Sequence, residues 1–97
     1  MTIKLNVGGL DLYLKRTDLT VPGGVQYVYH FPNGYGGSIV KFPGSYGYKE
    51  DLWELAVIVF DDEGDYELAY DTPITADVEG YLTDKEVENL LYKIKGL

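Results

Sequence analysis

The sequence predicts an antiparallel α+β domain of about six strands in three hairpins, closed by one C-terminal helix. Three observations predict it. Apolar and polar residues alternate with period two in several runs between residues 2 and 70, as half-buried strands require. Turn-forming clusters separate these runs at Gly8-Gly9, Pro32-Asn33-Gly34 and Asp61-Asp62-Glu63-Gly64. Past Thr83 the apolar spacing changes to i, i+3, i+4, i+7 over Val87, Leu90, Leu91 and Ile94, the repeat of a helix face. Ninety-seven residues support one core, so 1–97 is expected to be a single domain.

The first hairpin is predicted from Ile3, Leu5 and Val7 facing Leu14, Leu12 and Leu10 across Gly8-Gly9, a dipeptide that supplies the positive φ of a primed turn. In the second, Val25, Tyr27, Tyr29 and Phe31 form one strand face, and the chain returns over Ser38–Phe42 after Pro32-Asn33-Gly34. The third pairs Trp53–Phe60 with Asp65–Tyr70. A four-residue loop there would set Val59 opposite Tyr66, Val57 opposite Leu68 and Leu55 opposite Tyr70. That register also sets Glu54 against Asp71, a like-charge pair that disfavours it. It asks for a slipped register, splayed strands, or a cation or basic partner between the two.

The helix begins at a capping box, Thr83 with Glu86, carries Asp84 and Glu86 in its first turn and Lys93 and Lys95 in its last, and stops at Gly96. A helix of about 12 residues is about 18 Å long. Six strands in a flat sheet span about 29 Å. The sheet is therefore expected to curl on itself, or to be covered in part by a second copy in a homodimer.

Charge is uneven. Residues 1–48 carry a net +2, and residues 49–97, with fourteen acidic and four basic groups, a net −10. The overall −8 disfavours direct binding to a nucleic-acid backbone. The acidic half serves solubility, or it is a face that meets a basic partner. There is no apolar run of membrane-spanning length, and the opening Met1-Thr2-Ile3-Lys4 shows no secretory leader. A cytoplasmic protein is the expectation. With no cysteine, one histidine (His30) and one arginine (Arg16), disulfides, thiolate chemistry and most catalytic constellations are excluded. No enzyme, cofactor or metal is expected.

Two patterns resemble metal sites. From Thr75 to Glu86, Asp77, Glu79, Gly80, Leu82 and Glu86 approach the spacing of a calcium-binding EF-hand loop, but Thr75 stands where aspartate belongs and Glu86 is taken by the capping box. Asp61, Asp62, Glu63 and Asp65 crowd one turn and read more simply as a solvated hairpin tip. Gly34-Tyr35-Gly36-Gly37-Ser38 lacks the following helix and the lysine of a phosphate loop.

Between Tyr27 and Tyr48 the chain holds five tyrosines among Gly, Ser and Asn, with little charge, the composition of a contact surface. Tyr27 and Tyr29 read as core. Tyr35, Tyr46 and Tyr48 fall on expected loops and are candidate partner-binding residues, together with Glu54, Asp61, Asp62, Glu63, Asp65 and Asp71.

The wording Phe31-Pro32-Asn33-Gly34-Tyr35-Gly36, Leu52-Trp53-Glu54-Leu55-Ala56-Val57, Tyr70-Asp71-Thr72-Pro73-Ile74-Thr75 and Gly80-Tyr81-Leu82-Thr83 resembles small acidic proteins encoded by bacteriophages, over roughly residues 25–95. The resemblance implies an inhibitor of a host defence or nucleic-acid-handling protein, of the anti-CRISPR or anti-restriction kind, whose carboxylates stand where phosphates are expected. It carries over no site residue. The partner would be a host protein with a basic surface. The alternatives are an oligomeric trap for a nucleotide signal, using cations among Lys4, Lys15, Arg16 and Lys41, and a housekeeping or virion component.

Overall fold

A computed structural model describes residues 2–75 and 78–97. In chain order it has a 3-10 turn at Asp11–Tyr13, β1 (Leu14–Asp18), β2 (Val25–His30), β3 (Tyr35–Lys41), a second 3-10 turn at Tyr48–Glu50, β4 (Trp53–Phe60), β5 (Tyr66–Leu68), β6 (Val78–Leu82) and α1 (Asp84–Lys95). The fold is α+β, a six-stranded antiparallel sheet with one C-terminal helix. β1 to β5 form a meander in sequence order, and β6 pairs with β4. β5 pairs with residues 58–60 of β4 and β6 with residues 53–56, so two short strands lie end to end along one edge. The sheet is therefore five strands wide at most.

The first expected hairpin does not form. Residues 3–7 are not in a strand, and Leu12 is 87% exposed. β1 pairs with β2 instead. The N-terminal segment is an extended strap tied to the helix: Gly8 N–H donates to Glu88, Asn6 N–H to Asp84, and the Tyr92 hydroxyl to the Gly8 carbonyl. It drops Leu5 and Leu10 into the core. Val78–Leu82 supplies the sixth strand that the first segment was expected to give.

The second hairpin is as read, with β3 beginning earlier, at Tyr35. In the third, the register differs by one: Ile58 faces Leu68, Val59 faces Glu67 and Phe60 faces Tyr66. The cause is the turn. Asp61 Oδ1 accepts from the N–H of Glu63 and of Asp65, and Asp61 N–H donates to the Asp65 carbonyl, closing the loop over Asp61–Asp65. A one-residue slip moves a strand's side chains to the other face, so Leu68 and Tyr70 are exposed rather than packed beside Leu55 and Val57. The Glu54–Asp71 pair does not arise, because β5 ends at Leu68.

One face of the sheet packs Val25, Tyr29, Ile39, Trp53, Leu55 and Val57 against Val87, Leu91 and Ile94 of α1. The predicted capping box is present, Thr83 and Glu86 each accepting from the other's backbone N–H. On the opposite face Val28 and Ile58 are also fully buried, which requires the sheet to bend over them. It does. A flat sheet would hold β1 and β5 about 19 Å apart, further than an arginine and a tyrosine reach end to end. Yet Arg16 Nη2 of β1 donates to the Tyr66 hydroxyl of β5 at 3.1 Å, and Lys15 Nζ to the Gly64 carbonyl at 2.7 Å.

Gly36 and Gly37 serve the two faces in turn. A Cβ on Gly37 would lie 2.7 Å from Leu91 Cδ2, so its absence lets the helix settle on β3. A Cβ on Gly36 would strike the Tyr29 carbonyl and come within 2.9 Å of the Phe60 ring. Above it His30 of β2 and Phe60 of β4 stack across β3, centroids 3.8 Å apart.

Candidate functional site

Among the expected partner-binding residues, Tyr46 and Tyr48 come together and Tyr35 does not join them. The loop between β3 and β4 places Tyr46 and Tyr48 in a cleft of about 390 Å³, with Pro43, Lys49 and Glu50 on its walls and Tyr81 of β6 across from them. Tyr46 and Tyr81 are each 58% exposed. The loop is fixed to the sheet, since Tyr46 N–H donates to Glu54 Oε1 at 2.9 Å and Tyr81 N–H to the Tyr46 carbonyl at 3.3 Å. Glu54 therefore holds the loop in place rather than presenting a free charge.

Tyr81 was not singled out from the sequence. Between its pairings with Trp53 and Leu55, β6 carries one residue more than β4. That is a β-bulge, which re-aims side chains and increases local twist. The left-handed position in it, usually glycine, is Tyr81 at φ 58°, one place after Gly80. For a bulky residue such a conformation costs about 1–2 kcal/mol. Gly47 makes room for it, because a Cβ there would meet the Tyr81 backbone at 2.9 Å. An isolated glycine within the alternating Val78-Glu79-Gly80-Tyr81-Leu82 run was the available signal for the bulge, and the EF-hand spacing obscured it.

Tyr35 lies on β3 rather than on a loop, half-buried against the core, and shares a second hollow with Val59, Tyr70 and Asp71. Asp61, Asp62, Glu63 and Asp65 form the tip of the β4–β5 hairpin. Asp61 is committed to turn hydrogen bonds, and all four are exposed. From Glu54 to Asp61 the length of β4 separates the tyrosine cleft from this tip by about 23 Å. The acidic half is thus distributed over both ends of β4.

Lys41 is 1% exposed, and its ammonium donates to the Thr2 carbonyl, the Asp51 carbonyl and Asp51 Oδ1 at 3.0–3.1 Å, above the Trp53 ring at 4.0 Å. All three of its hydrogens are used. Asp51 also accepts from the Thr2 N–H and hydroxyl, each at 2.7 Å. The Thr2 hydrogen bonds, with Lys41 beside them, hold the Asp51 carboxyl well below the usual range. Trp53 Nε1 donates to Asp84 Oδ1 at 2.6 Å. This network fastens strap, sheet and helix together.

Of the EF-hand-like stretch, Asp77 lies outside the described residues. Glu79 and Gly80 are in β6, and Glu86 Oε1 accepts from Thr83 N–H. Among the described residues no group of three or more His, Asp or Glu side chains is placed to hold a metal ion, and no helix is long and apolar enough to cross a membrane. No protein-family model, curated protein or solved structure matches the chain.

Proposed function

We propose that this chain is an interaction protein that engages a basic surface on another protein, of the kind a nuclease or other nucleic-acid-handling host factor presents. One observation carries the reading: Tyr81 is kept exposed in a left-handed bulge position beside an equally exposed Tyr46. Strained conformations persist where the surroundings over-determine them, and they cluster at sites of recognition. Tyrosine combines large contact area with few rotatable bonds. Tyr46, Tyr48 and Tyr81 supply shape-specific contact. The carboxylates of residues 49–97 supply attraction to cationic surface and steer the encounter.

The test is capture of host proteins on the immobilised chain at low and high salt, compared with the Tyr46→Ala/Tyr81→Ala double variant. The reading expects a protein held by the native chain, released by salt, and retained at least about tenfold less by the variant. Equal retention by both chains would overturn it.

A further inference from the structure

A second cleft, of about 340 Å³, lies on the curled face between β1 and the β4–β5 hairpin, lined by Lys15, Arg16, Val28, Gly64, Asp65 and Tyr66. It shares no residue with the tyrosine cleft. Its chemistry runs against the molecule's charge. In a chain with sixteen carboxylates, Lys15 and the one arginine form no ion pair among the described residues, whose ion pairs are Lys41–Asp51 and Lys85–Glu88. Arg16 Nη2 binds two neutral groups instead, the Gln26 side-chain oxygen at 3.2 Å and the Tyr66 hydroxyl at 3.1 Å. Lys15 Nζ gives one hydrogen bond to the Gly64 carbonyl and lies 4.7 Å from the Phe60 ring centroid.

That both cations reach this face is a consequence of backbone irregularity. Successive residues of a regular strand point to opposite faces. Between Leu14 and Arg16 β1 carries one residue more than β2, and this bulge turns Lys15 to the same side as Arg16. The aromatic wall is Tyr66, with its ring 5.3 Å from that of Phe60, and Phe60 in turn stacks on His30. A volume of 340 Å³ falls at the small end of ligand sites.

We propose that this cleft binds a small phosphorylated ligand of the mononucleotide class, its phosphate held by Lys15 and Arg16 and its ring laid against Tyr66. The guanidinium and ammonium groups provide charge-assisted donors for phosphate oxygens. Asp65 at the edge repels a long polyanion. It accepts instead from a hydroxyl or ring N–H at the other end of a short ligand. The overall charge of −8 likewise selects a small ligand over a nucleic-acid strand.

The experiment is titration of the isotope-labelled full chain, followed by amide shifts, with the 5′-monophosphates of adenosine, guanosine, cytidine and uridine, then with the matching nucleoside and with inorganic phosphate. At least one mononucleotide should shift Lys15, Arg16, Gly64 and Tyr66 saturably, with a dissociation constant below about 1 mM. Its nucleoside and inorganic phosphate should each bind at least about tenfold more weakly. Arg16→Gln and Lys15→Gln, both at exposed positions, should each weaken binding about fivefold or more, while Tyr46→Ala/Tyr81→Ala leaves it unchanged. Absence of saturation with all four mononucleotides, a nucleoside binding as tightly as its phosphate, or full affinity in both charge variants would overturn the proposal. The interaction reading, which is carried by Tyr46 and Tyr81, would stand.

Discussion

Trp53 is the residue on which strap, sheet and helix converge. It is 1% exposed, packs edge-on to Tyr27 at 5.8 Å, lies under Lys41 and donates to Asp84. Trp53→Ala removes all of these contacts and opens a cavity, so it should cost about 3–5 kcal/mol in urea denaturation, enough to unfold a small domain. The native chain should show blue-shifted tryptophan emission, and emission at the position of the free amino acid would contradict the placement. Asp51 gives a pH signature. Its folded pKa is depressed, chiefly by Thr2 and then by Lys41. Its contribution is therefore complete above the unfolded value near 3.9 and is lost as pH falls below it. Native protein and Asp51→Asn should differ in thermal stability at pH 6, and the gap should narrow steadily below about pH 4. A gap that stays constant down to pH 2 would show that the carboxylate's ionisation is not what stabilises the strap.

At the scale of elements, the sequence displayed what depends on local chemistry. The α1 helix was legible because its cap, its apolar stripe and its terminal charges all agree within Thr83–Gly96. β4 was legible because Trp53–Phe60 is apolar at every position but Glu54 and is followed at once by acidic turn residues. The N-terminal segment was misread because alternation in Ile3–Val7 is compatible with any extended chain, and its partners, Asp84, Glu88 and Tyr92, lie about 80 residues away in sequence. The β5 register turned on one side chain, Asp61, lengthening a loop. The bulge at Lys15 carries no local signal and shows only once the partner strand is known, whereas the one at Gly80-Tyr81 was marked by its glycine and obscured by the EF-hand spacing. Yet they shape the two clefts. For the second bulge a pair of variants separates backbone from side chain. Tyr81→Ala and Tyr81→Gly both delete the ring, but only glycine adopts φ 58° without cost. Tyr81→Gly should be more stable than Tyr81→Ala by about 1 kcal/mol, while both lose partner retention alike. Equal stability of the two would mean that the bulge carries no strain.

For the molecule as a whole, the proposed function divides the work of recognition between charge and shape. The sheet curls until its edge strands touch, while the strap and helix cover its other face. The tyrosine cleft and the acidic tip stand at opposite ends of β4. Charge at the exposed tip acts over distance and is screened by salt. Replacing Asp61, Asp62, Glu63 and Asp65 with Asn or Gln should therefore slow association with a captured partner at low salt and leave dissociation nearly unchanged. Unchanged association would assign that acidity to solubility alone. Under the proposed function, contact at the cleft selects the partner, and amide hydrogen exchange reads that contact directly. The chain should be compared free and saturated with the host protein that its capture recovers. The account predicts slowed exchange in the Pro43–Glu50 loop and at Gly80–Leu82, with α1 and the N-terminal strap unaffected. Protection confined to α1 or the strap, with the Pro43–Glu50 loop exchanging as fast as in the free chain, would contradict it.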